Sequence, residues 1–259
     1  MYLDVNAWVG RWPFRRVPVT TVSGLLRQMD RHGIEKAVVS SLHAVFYRNS
    51  QAGNEELFEE TKGHRDRLIP CATINPTYEG WREDLKVCQE DFGMAGLRLV
   101  PQYHNYRLSG GEAREVVNVA AELGMPVAIP MRLEDRRQRH WLDVAPDLSA
   151  GEIEAVVRAC PQATFFILEG IGLENSALAR DPKLRERVYI EISRFTSVLQ
   201  ESIPRMIEAA GPDRLVFGTG MVLKVPTPAI LKVEALRASK KVKEAISCRN
   251  AAKALRVKM

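Results

Sequence analysis

The sequence predicts an α/β fold, a (β/α)8 TIM barrel that forms a single domain over residues 1–259. Eight short apolar segments recur at intervals of roughly 25–35 residues, which is the spacing of β/α units. Amphipathic helical patterns separate them, and 259 residues is an ordinary length for such a barrel. A doubly wound open sheet would need a glycine-rich phosphate loop after its first strand, and Asn6–Pro13 is not such a loop.

The candidate strands are apolar and mostly rich in β-branched residues, as are strands that a parallel sheet buries on both faces. In chain order they are Tyr2–Trp8, Lys36–Leu42, Leu68–Asn75, Gly96–Pro101, Pro126–Met131, Thr164–Gly170, Val188–Ser193 and Arg214–Gly220.

The segments between the strands carry apolar residues at helical spacing, for example Leu85, Cys88 and Phe92. Glycines after several of these segments indicate where the helices end. The predicted helices are Thr21–Arg31, Asn54–Lys62, Trp81–Phe92, Gly111–Leu123, Ala150–Cys160, Ser197–Ala210, Thr227–Arg237 and Lys240–Val257, of which the last two close the domain at about 227–257.

Composition indicates a globular protein of a reducing compartment. Hydrophobic residues make up 46% and charged residues 27% of the chain. No apolar run approaches the length of a membrane span, and the first strand begins too near the N-terminus for a signal peptide. The four cysteines are widely spaced, with no C-x-x-C. We therefore expect a cytoplasmic protein with no membrane contact.

Charge is concentrated at the C-terminus. From Lys224 onward there are ten basic and two acidic residues, a net charge of +8 compared with +5 for the whole chain. Such a face could meet nucleic acid or an acidic partner. No interleaved aromatic residue and no nucleic-acid motif accompanies it, so a solvated basic face is favoured and nucleic-acid binding is not expected.

Four segments resemble the motifs of the amidohydrolase-related family, in the aminocarboxymuconate-semialdehyde decarboxylase-like branch of metal-dependent decarboxylases and hydrolases. Asp4–Trp8 corresponds to D-x-H-x-H, Gly96–Pro101 to G-[IL]-[KR]-L-x-P, and Gly211–Gly220 to G-x-D-R-[IL]-[LM]-[FW]-G-S-D. Asn250–Leu255 is similar to the closing N-A-x-x-[LF] helix. The resemblance covers nearly the whole chain and implies a barrel, small carboxylic acid substrates and a homodimer or other homo-oligomer.

The same resemblance implies five metal ligands, and this chain departs from the pattern at each of them. The positions of four histidines and one aspartate hold Asn6, Trp8, Pro130, Gly170 and Gly220. A catalytic zinc ion needs about three nitrogen, oxygen or sulfur ligands, and these positions offer at most one. A shift of one residue would offer Glu169. We expect a degenerate metal site, with no metal and no other cofactor.

Charged residues nevertheless follow most of the strands, where barrel active sites lie. Arginines bind carboxylates or phosphates bidentately, so a small anionic or polyhydroxylated ligand is the expected partner. The alternative is that the arginines pair with neighbouring carboxylates and only join loops. The candidate substrate-binding residues are Asn6, Arg98, Arg132, Arg137, Glu191 and Arg194, with Arg98 as the best single case.

Proton carriers could come from loop histidines or from paired carboxylates. His43, His104 and His140 follow strands, and Asp135 could orient His140. Glu169 and Glu191 end neighbouring strands, where two carboxylates can divide acid and base roles or can neutralise the arginines. The candidate catalytic residues are His104, His140, Asp135 and Glu169; a metal site rebuilt from the three histidines is a further alternative.

Two functions remain open. The first is a hydrolase or lyase that acts without metal on a small anionic compound at the strand carboxyl ends. The second is a non-catalytic pseudoenzyme that serves as a binding or assembly partner. If Trp8, Met131 and Met221 fill the barrel at the carboxyl ends of its strands, the pseudoenzyme is favoured. A polar pocket there would favour the enzyme.

Overall fold

A ring of short parallel strands forms the centre of the computed structural model, which describes residues 1–196 and 201–259. Strands β3 and β4 are two parts of one strand that is interrupted at Cys71, so the ring has eight positions. The strands are β1 Tyr2–Val9, β2 Ile34–Ser41, β3 Leu68–Pro70, β4 Ala72–Thr73, β5 Leu97–Arg98, β6 Val127–Pro130, β7 Phe165–Leu168, β8 Val188–Glu191 and β9 Leu215–Val216.

Backbone hydrogen bonds join the sheet β1-β2-β3 to the sheet β4-β5-β6-β7-β8-β9 on one side. The Cys71 amide donates to the Val39 carbonyl at 2.8 Å, and the Ala72 amide donates to the Gly96 carbonyl at 2.9 Å. The chain therefore pairs first with β2 and then, one residue later, with β5.

The other seam joins the end of the ring to its beginning. The Val5 amide donates to the Phe217 carbonyl at 3.0 Å, and the Gly220 amide donates to the Asn6 carbonyl at 2.9 Å. Ala7 and Met221 form a parallel bridge. The predicted closed barrel is thus confirmed, and its carboxyl-end rim includes residues just past β9.

Helices surround the ring and follow the predicted order. They are α1 Val22–Arg31, α2 Ser50–Thr61, α3 Trp81–Glu90, α4 Pro101–His104, α5 Gly111–Glu122, α6 Ala150–Ala159, α7 Ala177–Arg180, α8 Pro182–Arg185, α9 Ser202–Ala210, α10 Thr227–Ala235, α11 Lys240–Glu244 and α12 Asn250–Leu255, with a π-helical turn at Ala245–Arg249 between the last two. The first four residues of the predicted helix Ser197–Ala210 lie outside the described residues.

Local sequence explains several helix ends. Ser149 and Glu152 form a reciprocal capping box at the start of α6, and the Thr21 hydroxyl accepts a hydrogen bond from the Gly24 amide to cap α1. The predicted strand Gly96–Pro101 is shorter than expected because Pro101 begins the short helix α4.

Two groups of buried apolar side chains stabilise the barrel. One contains residues from strands all around the ring, such as Val38, Phe166 and Val216, together with Cys248 and Ala251. Side chains from opposite strands can meet only inside the ring, so this group fills the interior and the C-terminal helices cover one end. The other, larger group packs helices against the outside of the strands. Among the described residues, no helix is long and apolar enough to cross a membrane.

Candidate active site at the carboxyl ends of the strands

A cavity of about 560 Å³ lies at the rim where the strands end. Each polar residue around it follows the carboxyl end of a strand, as active-site residues of such barrels do. Its lining within the described residues is Arg15, Asp135, Gln138, Ser193, Arg194, Thr219, Leu223, Lys224, Val225, Pro228 and Ala229. Trp8, Met131 and Met221 are buried in the core and do not fill this space.

A network of buried polar side chains lies beside the cavity. Glu169 Oε1 accepts hydrogen bonds from Asn6 Nδ2 at 3.0 Å and from Ser193 Oγ at 3.2 Å. The same hydroxyl is 2.9 Å from Glu191 Oε2, which also accepts from the Glu169 amide at 2.9 Å. The structure therefore brings together Asn6, Glu169 and Glu191, three of the residues that the sequence singled out.

The two carboxylates in this network lie in unusual surroundings. Glu191 is fully buried, and burial raises its pKa to about 7 despite the hydrogen bonds from Ser193 that favour the charged form. The backbone of Glu169 has a φ of 58°, a left-handed conformation that is costly for a residue with a Cβ.

Lys224 completes the network and was not singled out by sequence reasoning. Its Nζ donates to Glu169 Oε2, its side chain is 21% exposed, and it lines the cavity. The pKa of Lys224 is lowered to about 7, mainly because the amine is buried. The signal for Lys224 was its position four residues after Gly220, the end of the last predicted strand.

Asp4 and Thr219 join the first and last strands beneath the rim. The Thr219 amide donates to Asp4 Oδ1 at 3.0 Å, and the Thr219 hydroxyl donates to Asp4 Oδ2. Asp4 is fully buried, which raises its pKa to about 6 although these bonds oppose the change. Asp4, the carboxylate of the D-x-H-x-H-like segment, therefore helps to hold the seam between the two ends of the ring.

Two arginines of the cavity are paired with buried carboxylates. Arg15 is bidentate to Glu134, with Nη2 at 2.6 Å from Oε1, and it also donates to the Leu223 carbonyl. Arg194 donates from Nη1 to Asp135 Oδ2 at 2.5 Å. Hydrogen bonds from Arg137 and Arg194 hold the pKa of Asp135 well below its usual range, so this carboxylate stays ionised.

The structure places Arg98 away from the cavity, contrary to its assignment as the best ligand-binding residue. Its side chain is fully buried. The guanidinium donates to the carbonyls of Ala7 at 3.1 Å and Val5 at 3.2 Å, and it lies over the Trp8 ring at 4.3 Å. Arg98 does point into the barrel, but β1 takes its hydrogen bonds, so it is a structural residue.

The candidate histidines do not meet at the cavity. His104 is buried, with Nε2 3.2 Å from the Ala44 carbonyl, and burial lowers its pKa to about 4, so it is neutral at physiological pH. His140 is exposed, stacks on Phe14 and Trp141, and its Nδ1 accepts from the Leu142 amide. Asp135 binds arginines and does not orient His140.

The remaining candidates serve other contacts. His43 binds Glu56 through Nδ1 and accepts from the Arg11 amide through Nε2. Arg132 pairs with Asp147 at 2.8 Å. Arg137 pairs with Asp135, but its side chain is 87% exposed. Among the described residues, none of these three lines the cavity.

A metal ion of the family's type does not fit the residues at its expected place. A Cβ at Gly220 would lie 2.9 Å from Glu169 Oε1 and 3.0 Å from Lys224 Cδ, and a Cβ at Gly170 would lie 2.6 Å from Leu173 Cδ1. The space for two of the five ligands is therefore filled. Within residues 1–196 and 201–259, no group of three or more His, Cys, Asp or Glu side chains could hold a metal ion.

Comparison with known proteins agrees with this architecture. The sequence model of the Amidohydrolase family matches residues 16–257. No curated protein matches the sequence.

Solved structures share the fold at low sequence identity. They include 5-carboxyvanillate decarboxylase from Sphingomonas paucimobilis, with a TM-score of 0.77, 12% identity and 99% of both chains covered. A 2,6-dihydroxybenzoate decarboxylase from Rhizobium has a TM-score of 0.72 at 16% identity, with 98% of both chains covered. A dihydroxybenzoic acid decarboxylase from Polaromonas sp. JS666, with bound manganese and 2-nitroresorcinol, has a TM-score of 0.73 at 16% identity, covering 98% of this chain and 96% of that one.

Proposed function

The chain belongs to the amidohydrolase family, and we propose that its barrel mouth binds a small carboxylic acid and converts it by proton transfer without a metal ion. Decarboxylation and hydrolysis are the two reaction classes considered, and the names of the decarboxylases with the same fold favour decarboxylation. Arg194 carries the proposal, because it lines the cavity and most of its guanidinium donors have no partner among the described residues.

Arg194 offers an incomplete set of hydrogen bonds. Its side chain is 16% exposed and lines the cavity. Within residues 1–196 and 201–259 it donates only from Nη1, to Asp135, and its buried Nε has no partner. A guanidinium has five N–H donors arranged to match a carboxylate, and those of Arg194 Nη2 have no partner among the described residues, so they can donate to an incoming carboxylate.

The size of the cavity supports a small ligand. At about 560 Å³ it falls within the usual range of small-molecule sites. The decarboxylases of the same fold are named for dihydroxybenzoate and 5-carboxyvanillate, which are small acids. These names suggest the compounds to test first.

Groups that titrate near neutrality supply the proton chemistry. Burial brings the pKa values of Glu191 and Lys224 to about 7 each. A general acid or base works best when its pKa lies near the working pH. Ser193 Oγ lies within hydrogen-bonding distance of both Glu169 and Glu191, so it can pass a proton between them. These residues take the roles that the sequence had assigned to His104 and His140.

Calorimetric titration of chelator-treated protein with 2,6-dihydroxybenzoate and related acids tests the proposal. Arg194→Ala should weaken binding by about tenfold or more, because a hydrogen bond to a charged group is worth about 1.5–3 kcal/mol. Arg137→Ala is the matched control, since it removes the other Asp135 partner but lies outside the cavity. Equal affinities for the two variants would remove Arg194 from the site.

Turnover of the bound acids is followed separately by the release of CO2 or of a hydrolysis product. Binding without any turnover would favour the alternative that the protein is a non-catalytic binding partner. Failure of every small carboxylate to bind would reject the proposed function.

A further inference from the structure

Lys224 lines the same cavity as Arg194, but the proposed binding of a carboxylate by Arg194 does not involve it. It is the single lysine among the described residues that line the cavity. Its primary amine lies against a buried carboxylate, since Nζ donates to Glu169 Oε2 and the Glu169 side chain is 3% exposed. Arg15, a second cation of the cavity, is held against the preceding residue through the Leu223 carbonyl.

Burial makes the ammonium of Lys224 easier to deprotonate. Burial has the largest effect, and the positive charges of Arg132 and Lys232 act in the same direction. Asp135 and Glu134 oppose them, and Glu169 is in direct contact. Burial therefore lowers the pKa of Lys224, and Glu169 Oε2 lies in position to take the proton that its ammonium loses. A lysine that has lost this proton is a nucleophile toward carbonyl groups.

We propose that Lys224 forms an imine with the ketone of a small β-oxo acid whose carboxylate binds Arg194, and that the acid is decarboxylated through this imine. The inference rests on the proposed function, because it places the same carboxylate in the same cavity. It names the substrate class: the acid must carry a ketone, and its carboxylate must be attached to the carbon next to the ketone carbon. Loss of CO2 leaves an electron pair, and an iminium at that distance can accept it.

The steps balance without an outside oxidant or reductant. The ammonium of Lys224 first gives a proton to Glu169 Oε2. The amine then adds to the ketone carbon, and the oxygen takes up protons and leaves as water, so that an iminium forms. The bond to the carboxylate breaks, CO2 leaves, and the electron pair enters the iminium to give an enamine. Protonation of the enamine carbon and hydrolysis by water release the ketone and restore the amine. Overall, a β-oxo acid anion and a proton become a ketone and CO2.

Reductive trapping with acetoacetate and sodium cyanoborohydride tests the inference. The full-length protein is incubated with both reagents, and the adduct is located by peptide mass spectrometry. We expect the wild-type protein to carry an isopropyl group on Lys224, which is the reduced imine of acetone and shows that CO2 left before reduction. Lys224→Met and Lys224→Arg should lose this adduct and release CO2 from acetoacetate no faster than buffer.

Lys86→Met is the matched control, because Lys86 pairs with Glu90 on the surface of α3. It should keep the adduct on Lys224. Circular dichroism checks that the variants fold, and the mapping on the wild-type protein needs no variant. Modification spread over surface lysines, or none at Lys224, would overturn the inference.

Titration with 2,6-dihydroxybenzoate, which has no ketone, separates the two proposals. If this acid binds but acetoacetate leaves Lys224 unmodified, the imine mechanism is rejected and the proposed function stands. If neither acid binds and no adduct forms, both are rejected.

Discussion

Asn6 Nδ2 donates to Glu169 Oε1 at 3.0 Å, across 163 residues of sequence. Asn6 occupies the place of the first ligating histidine in the motif, and its amide serves as a hydrogen-bond donor to a carboxylate that Lys224 also contacts. The Lys224 amino group thus contacts the carboxylate that is bonded to the residue at the first ligand position of the family pattern.

Metal content should be low in protein purified without an affinity tag or added metal. Because the expected ligand positions offer at most one donor, Asn6, and side chains occupy the space beside two of them, we expect far less than one zinc, iron or manganese ion per chain by elemental analysis. Added Mn²⁺ should leave the melting temperature unchanged, since a ligand stabilises only the protein that binds it. A nearly stoichiometric metal would contradict the site as described.

A Cβ at position 220 should disturb the Lys224–Glu169 pair. Gly220 has a φ of +76°, and an added Cβ would lie 2.9 Å from Glu169 Oε1 and 3.0 Å from Lys224 Cδ. Gly220→Ala should therefore destabilise the protein by about 2–4 kcal/mol, from backbone strain and overpacking together. The measurement is urea denaturation.

Gly33→Ala is the matched control for this experiment. Gly33 also has a positive φ, +64°, but nothing lies within 4 Å of its Cβ position. It should show the backbone cost alone, about 1 kcal/mol. If both variants lose the same stability, the space beside Gly220 is not filled as described.

Arg98→Ala should destabilise the fold while leaving the cavity intact. The substitution removes two hydrogen bonds to β1 carbonyls and the contact with the Trp8 ring, and it leaves a buried void. We expect a loss of about 3–5 kcal/mol in the free energy of unfolding. The folded variant should bind 2,6-dihydroxybenzoate like the wild-type protein. Normal stability with lost binding would restore Arg98 as a ligand-binding residue.

Glu191→Gln should change how stability depends on pH. Burial raises the pKa of Glu191 from 4.5 to about 7, so the folded state holds the proton more tightly than the unfolded state. The tighter proton binding by Glu191 stabilises the folded state fully below about pH 4.5, and this stabilisation is lost as the pH rises through 7. A fully realised shift of this size is worth on the order of 3 kcal/mol.

Because the glutamine variant does not titrate at this position, its stability relative to the wild-type protein should improve between pH 5 and pH 8. Urea denaturation of both proteins at several pH values measures this difference, and the other titrating groups largely cancel in it. A difference that is constant with pH would show that Glu191 has an ordinary pKa in the folded protein.

Much of the fold could be predicted because it depends on local patterns. Short apolar runs at intervals of roughly 25–35 residues identified the eight strand positions, helical apolar spacing identified the helices, and Gly33 and Gly124 marked helix ends. Boundaries were less certain: Pro101 begins a helix where a strand was expected to end. The departures from the metal ligand pattern were also visible, since glycine and proline carry no donor whatever their surroundings.

The sequence by itself determined the barrel, the family and the set of charged residues that follow its strands. Only the tertiary structure decided which of them share a site. Arg98 and Arg194 both follow expectation by lying near strand ends, yet one is bonded to the backbone of β1 and the other lines the cavity. Glu169, Glu191 and Lys224 come together from three strand ends. The pKa of a side chain and the number of its unused hydrogen-bond donors depend on burial and on partners distant in sequence. The spacing of strands along the chain does not encode either property.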